Sequence, residues 1–250
     1  MTIQEITAAL PDPKPLRLAQ TALFLDLDGT LAPIAARPQD VRPDPRRTSL
    51  LERLARRLDG RLAVVSGRTL EDVDRILEGC VVAVAAVHGL VRRGPDGRVF
   101  ETRGHPQLAR AAEALRAFAA RDSGLIVEDK GGLSVALHFR LARGQAEAAR
   151  ACARELAAQT GLALQEGDMV EELRTPGADK GDSVRAFMAR PPFAGALPVF
   201  VGDDDTDEDG FEAAQRLGGL GVGVGAARPT RARFRVAGVE AALAWLEAAQ

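Results

Sequence analysis

Tyrosine is absent from this chain, and all aromatics together make up only 4% of its 250 residues. Cysteine occurs twice, at Cys80 and Cys152, far apart and in apolar or helical stretches. Two such residues do not make a disulfide framework or a cysteine metal site, and both are expected to be buried thiols. No apolar run is long enough to cross a bilayer. Residues 1–20 lack the charged and apolar regions of a secretory leader, so a cytoplasmic location without membrane partners is expected. The formal net charge is only -2, which gives no electrostatic footprint for nucleic acid. There is no internal repeat, no low-complexity linker and no G-x-x-x-x-G-K-[ST] phosphate loop. The glycine-rich 221–225 lacks the spacing of a dinucleotide fingerprint.

What is present is a chain able to build a sizeable core, since hydrophobic residues account for 46%. Short apolar runs at 22–25, 62–65 and 81–87 alternate with segments of helical spacing. Leu50, Leu51, Leu54 and Leu58 mark one such helix, and Leu70, Val73, Ile76 and Leu77 the next. This alternation predicts βαβ units and a parallel sheet. After His88-Gly89 the pattern changes. Gly94-Pro95-Asp96-Gly97 reads as a hairpin turn. A helix near 106–120, strands near 125–129 and 133–140, a helix near 144–160 and strands near 162–166 and 168–174 follow. The order αββαββ predicts an antiparallel sheet with helices on one face. From Gly181 the first pattern resumes: a helix to about 190, a strand at 198–201, a helix near 208–217, a strand at 220–224 expected to be the last of the core, and a helix at 238–249. The expectation is an α/β chain with a Rossmann-like, doubly wound core (1–103 and 175–250) and an inserted α+β cap (104–174). Gly104 and Pro176-Gly177 are candidate hinges, and His88-Gly89 a strand-end turn near them.

Four pieces of this pattern carry chemistry. The strand 22–25 ends in Asp26-Leu27-Asp28-Gly29-Thr30, and ligands of parallel sheets lie beyond the carboxyl ends of strands. On its own D-x-D-G-T also suits a plain Asp-rich turn. Two carboxylates there can divide the work of phosphoryl transfer: one attacks phosphorus, the other gives and takes a proton. In Gly202–Asp209 every position from 203 to 209 except Thr206 is acidic. Helix capping explains part of this, especially Glu208 and Asp209. It does not explain acidity that begins where an apolar strand ends. Two like charges about 4 Å apart repel by roughly 4 kcal/mol at an effective dielectric of 20, so carboxylates gathered there need a cation. Oxygen ligands without paired His or Cys point to Mg²⁺. Lys180 opens a helix just before the acidic strand, where ammonium and helix N-terminus would both face a phosphate. Ser66-Gly67-Arg68 ends the second strand and offers a hydroxyl and backbone N–H groups to an anion.

In order and spacing these pieces resemble the haloacid dehalogenase superfamily of phosphotransferases. The resemblance implies Asp26 as nucleophile, Asp28 as general acid/base, and Ser66, Gly67 and Lys180 as holders of the phosphoryl group. It implies Mg²⁺ held by Asp26, the backbone carbonyl of Asp28, and Asp203, with Asp204 or Asp207 assisting. More closely, D-L-D-G-T-L-A-P-I, S-G-R, V-H-G, V-E-D-K-G-G-L-S-V-A-L-H-F-R, E-L-R-x-P-G-x-x-K-G and G-D-D-x-T-D-E-D-x-F, over about 22–212, resemble the trehalose-6-phosphate phosphatases.

Strand alternation in 133–140 puts Val135, Leu137 and Phe139 on one face and Ser134, Ala136, His138 and Arg140 on the other. The second face, with Glu128 and Lys130 just before it, suits an ordinary solvent face or a roof for a sugar closing over Asp26. By resemblance Glu128, Lys130, Arg140 and Glu172 bind the sugar, and His138 is a further candidate. Three departures stand out: Thr175 precedes Pro176 where Pro often follows E-L-R directly, Phe139 stands where Tyr is common, and Glu171 beside Glu172 leaves that assignment open by one position. The expected substrate is a small-molecule sugar phosphate, trehalose 6-phosphate, acted on by a monomer. Sucrose-phosphate or mannosyl-phosphate hydrolysis and a non-catalytic sugar-phosphate regulator are the alternatives. The regulator fits less well because Asp26, Asp28 and Lys180 are all present.

Overall fold

The structure is a computed structural model that describes residues 10–250. The chain divides into two compact units, one made of the chain up to Phe100 with Ala178–Gln250, the other of Glu101–Gly177. The second unit is slightly wider than the 104–174 read from sequence.

The first unit begins with β1 (Thr21–Leu25), buried along its whole length. It continues through α1 (Pro45–Arg57), β2 (Leu62–Val65), α2 (Leu70–Leu77), β3 (Ala83–Ala86), and the hairpin β4 (Val91–Arg93) and β5 (Val99–Glu101). Asp44 caps α1 through the Arg47 N–H, and Thr69 caps α2 through the Asp72 N–H. The intervening unit holds α3 (Leu108–Ala119), β6 (Ile126–Asp129), β7 (Ser134–His138), α4 (Ala146–Thr160), β8 (Ala163–Gly167) and β9 (Val170–Arg174). The first unit then resumes with α5 (Lys180–Met188), β10 (Leu197–Gly202), α6 (Asp207–Arg216), β11 (Leu220–Val224), β12 (Phe234–Val236) and α7 (Val239–Glu247).

The large sheet runs β12-β11-β10-β1-β2-β3-β4-β5, parallel from β12 to β3. β1 therefore lies between β10 and β2. The strand at 220–224 is not the last of the core. β12 pairs beyond it, too short (Phe-Arg-Val) and too irregular to show a strand period.

Phenylalanines fix helices above this sheet. Phe24 of β1 stacks on Phe193 at 5.5 Å between ring centroids, and Phe187 of α5 meets them at 6.1 and 5.2 Å. Phe200 of β10 meets Phe211 of α6 edge-on at 5.7 Å. Such pairs add about 0.5–1.5 kcal/mol each beyond the area they bury. They also place the N-termini of α5 and α6 at the carboxyl end of the sheet.

The second unit has the expected αββαββ order, with an antiparallel sheet β6-β7-β9-β8. Val135, Leu137, Phe139 and Leu173 pack with Leu108, Ala111, Leu115, Ala149 and Leu156 of α3 and α4. Cys80 and Cys152 are free and only half-buried, because Cys80 lies in the loop after α2 and Cys152 on a partly open side of α4. Burial still raises both thiols, Cys80 to about 11, so neither is a ready thiolate.

Candidate active site

β1 ends on Leu25, and the Asp26 N–H continues the ladder by donating to the Val201 carbonyl at 2.9 Å. In this register Leu25 faces Val201 on one side and Val64 on the other. The loops carrying Asp26, Asp203 and Ser66 therefore leave three adjacent strands at the same end. Asp26 is 5% exposed, and Lys180 only 3%. Lys180 Nζ donates to Asp26 Oδ1 at 2.8 Å and to Asp207 Oδ1 at 2.7 Å. Lys180 is so placed because Asp179 caps α5: its side chain accepts from the Asp182 N–H, and Asp182 accepts in return from the Asp179 N–H.

Asp207 opens α6, and both its oxygens accept hydrogen bonds, Oδ1 from Lys180. Its Oδ2 accepts the backbone N–H groups of Asp203 and Asp204 at 2.9 and 3.0 Å. Asp204 Oδ1 turns away to accept the Thr206 N–H and hydroxyl. Asp203 Oδ1 accepts the Thr30 hydroxyl at 3.1 Å. Gly29 makes this approach possible: its φ is +84°, and a Cβ there would stand 2.0 Å from Asp203 Oδ2.

Carboxylate oxygens of Asp26, Asp203 and Asp207 all lie within 4.8 Å of one another. Burial raises Asp26 well above the usual carboxylate range. Lys180 opposes this, while Asp207 and Asp203 add to it. Burial and the neighbouring Asp207 and Asp204 push Asp203 up to about 7, and burial first takes Asp207 to about 6. Burial works against the Lys180 ammonium, but Asp207 and Asp26 outweigh it and hold its pKa high. One lysine thus falls short of balancing the carboxylates. All-oxygen donors with an excess of negative charge fit a hard divalent cation.

Asp28 points elsewhere. Arg68 Nε and Nη2 donate to its two oxygens at 2.6 and 2.7 Å, and Nη1 donates to the Pro38 carbonyl. This two-pronged pair was not foreseen from sequence. Arginine is abundant throughout the chain, and only the loop geometry after β2 singles out Arg68. Ser66 is buried, and its hydroxyl accepts the Arg68 N–H at 3.2 Å. Gly67 lies flat under His88, where a Cβ would be 2.4 Å from Nε2. His88 and Gly89 form the turn at the end of β3, as expected, and sit among the site loops: the His88 N–H donates to the Ser66 carbonyl, and Gly89 abuts Ser183 and Asp179, the latter two residues past Gly177. Val87 and His88 have φ of +47° and +53°, a strained pair for residues with side chains.

In the second unit, Glu128, Ala136, Glu172 and Gln165 form one row across the four strands. Glu172 therefore shares a face with Ser134 and His138. Lys130 Nζ donates to Glu172 Oε2 at 2.5 Å, and the Ser134 hydroxyl to Oε1 at 2.6 Å. His138 Nε2 meets Glu128 Oε2 at 2.8 Å. Arg140 reaches Asp168, at 3.0 Å from its carboxylate. Glu171 is on the opposite face, 1% exposed, with Arg150 Nε at 3.4 Å. Gln165 and Arg174 also lie on the polar face, and only the strand register reveals them.

The trehalose-phosphatase family model matches residues 24–240. A probable trehalose-phosphate phosphatase of Sinorhizobium fredii is 41% identical over 206 residues, which is 82% of this chain and 77% of that protein. The trehalose-6-phosphate phosphatase of Escherichia coli is 38% identical over 231 residues, 92% of this chain and 86% of that one. The crystal structure of a trehalose-6-phosphate phosphatase related protein superposes with a TM-score of 0.76 at 30% identity, covering 90% of this chain and 95% of the other.

Proposed function

The chain belongs to the trehalose-phosphatase family, and from that premise we propose that it hydrolyses trehalose 6-phosphate to trehalose and phosphate through a phosphoryl ester on Asp26. The observation that carries this is the buried Asp26 carboxylate, held at 2.8 Å by Lys180 and facing Asp203 across a strand end. It is a fixed nucleophile beside a fixed cation, in a site rich in negative charge.

Asp26 Oδ2 attacks phosphorus while Lys180 keeps Oδ1 in place. Asp28, once protonated and released from Arg68, passes its proton to the departing sugar oxygen, and as the carboxylate later takes one from the water that cleaves the aspartyl phosphate. Ser66 and the Gly67 N–H bind the phosphoryl oxygens, together with the Lys180 ammonium. Asp26, the Asp28 carbonyl and Asp203 would hold Mg²⁺, with Asp207 and Asp204 bracing the loop from behind. When bound, the ion supplies positive charge to the phosphoryl oxygens.

On the second unit, Glu128, Lys130, Arg140 and Glu172 recognise the disaccharide, with His138 orienting Glu128. Their alternating acceptors and donors suit sugar hydroxyls. The test is a panel of phosphate esters with Mg²⁺. Trehalose 6-phosphate should be turned over far faster than sucrose 6-phosphate or p-nitrophenyl phosphate. Equal rates would remove the disaccharide assignment, and full activity of Asp26→Asn would remove the mechanism.

A further inference from the structure

Arg228 lies in the loop between β11 and β12, a part of the chain that carries none of the motifs above. Its guanidinium nonetheless reaches under the acidic loop after β10. Nε donates to the Asp203 carbonyl at 3.1 Å, and Nη2 to the Asp204 carbonyl. Nη1 donates to Asp205 Oδ1 at 2.7 Å, and Nη2 lies 3.0 Å from Glu208 Oε1. The side chain is 24% exposed. Arg228 is itself anchored, since its carbonyl accepts from Arg235 of β12 at 3.2 Å.

A surface arginine beside acidic residues contributes little to stability. Arg228 differs in holding two consecutive backbone carbonyls. The peptide units that carry Asp203 and Asp204 are therefore fixed from both sides: Asp207 accepts their N–H groups, and Arg228 donates to their carbonyls. We propose that Arg228 is a positioning residue for divalent-cation binding, one that holds the Asp203 backbone so that its carboxylate stays aimed at Asp26. Only a planar fork spans both carbonyls and both carboxylates; a lysine ammonium does not.

Charge and position make opposite demands. A cation near the site repels a second cation, so if Arg228 acted by charge alone, removing it would tighten Mg²⁺ binding. If it acts by holding the loop, removing it weakens binding, by about tenfold or more, the usual effect of losing a residue that supports a metal ligand. This rests on Asp203 being a ligand, and the experiment separates the two ideas. Mg²⁺ is titrated by calorimetry into metal-free wild type, Arg228→Ala, Arg228→Lys and Asp203→Asn. The expected result is weaker binding in both Arg228 variants and near-complete loss in Asp203→Asn. Unchanged or tighter binding in Arg228→Ala, or wild-type binding in Arg228→Lys, overturns the role of Arg228. Wild-type binding in Asp203→Asn overturns the ligand assignment instead. If Arg228→Ala does not fold, Arg228→Lys alone decides, because it keeps the charge and loses the fork.

Discussion

Arg68 grips both carboxylate oxygens of Asp28, at 2.6 and 2.7 Å, and so fixes the direction in which this half-exposed aspartate can act. Arg68 is 7% exposed and is held by the Pro38 carbonyl, so the pair is anchored in the fold. A bidentate pair of this kind sets geometry as well as charge.

If the two work as a unit in proton transfer, Asp28→Asn lowers kcat by about 10²–10⁴. Arg68→Ala lowers kcat less, with KM little changed. The double variant is no slower than Asp28→Asn alone. Steady-state kinetics on trehalose 6-phosphate decides, and multiplying losses would show that the pair does not act together.

Lys180 is the hinge pin of the buried charges. Lys180→Ala leaves Asp26 and Asp207 buried without their cation, a loss on the order of 3–5 kcal/mol. The expected outcome is a clear drop in melting temperature together with loss of turnover. Added Mg²⁺ should restore part of the stability and none of the activity.

The polar row of the second unit predicts a different pattern. Glu172→Gln removes the counter-charge of Lys130 and, if this row binds the sugar as proposed, weakens that contact. It should lower kcat/KM for trehalose 6-phosphate by roughly 10–100-fold, the worth of a charged hydrogen bond, and leave p-nitrophenyl phosphate hydrolysis nearly unchanged. Glu171→Gln, on the helix-packed face, should spare both activities.

Asp203 and Asp207 give the metal-free protein a pH dependence of definite sign. In the folded state they hold protons up to about 7 and about 6, whereas an unfolded aspartate gives its proton up near 3.8. The folded state therefore binds more protons across this window, and metal-free stability falls as pH rises through it. If Mg²⁺ binds Asp203 as proposed, it must displace that proton, and the rise in melting temperature on adding Mg²⁺ should be larger at about pH 7.5 than at about pH 5.5. A thermal-unfolding series with and without Mg²⁺ measures this. A flat difference would show that the carboxylates are ionised without a cation.

The sequence was most legible where residue type and strand end coincide. Asp26, Ser66 and Asp203 stand directly after apolar runs, and a parallel sheet brings such ends together. It was least legible where a long side chain crosses between loops. Arg68 and Arg228 look like any other arginine in an arginine-rich chain until the backbone shows what each reaches. The turn at Val87-His88 was also hidden, because its left-handed backbone lacks the glycine that would announce it. β12 escaped for want of length. The face of Glu172 could be argued only once the register with β7 was known.

The Thr30–Asp203 bond joins residues 173 positions apart, and Lys180 reaches Asp26 across 154. No early, local piece of folded chain can contain this site; it exists only once β10 has docked beside β1. A cation held there acts as a late rivet. If β1 and β10 dock only after the folding barrier, the ion leaves the refolding rate almost untouched and slows unfolding; an equal rise in the refolding rate would place the docking before the barrier.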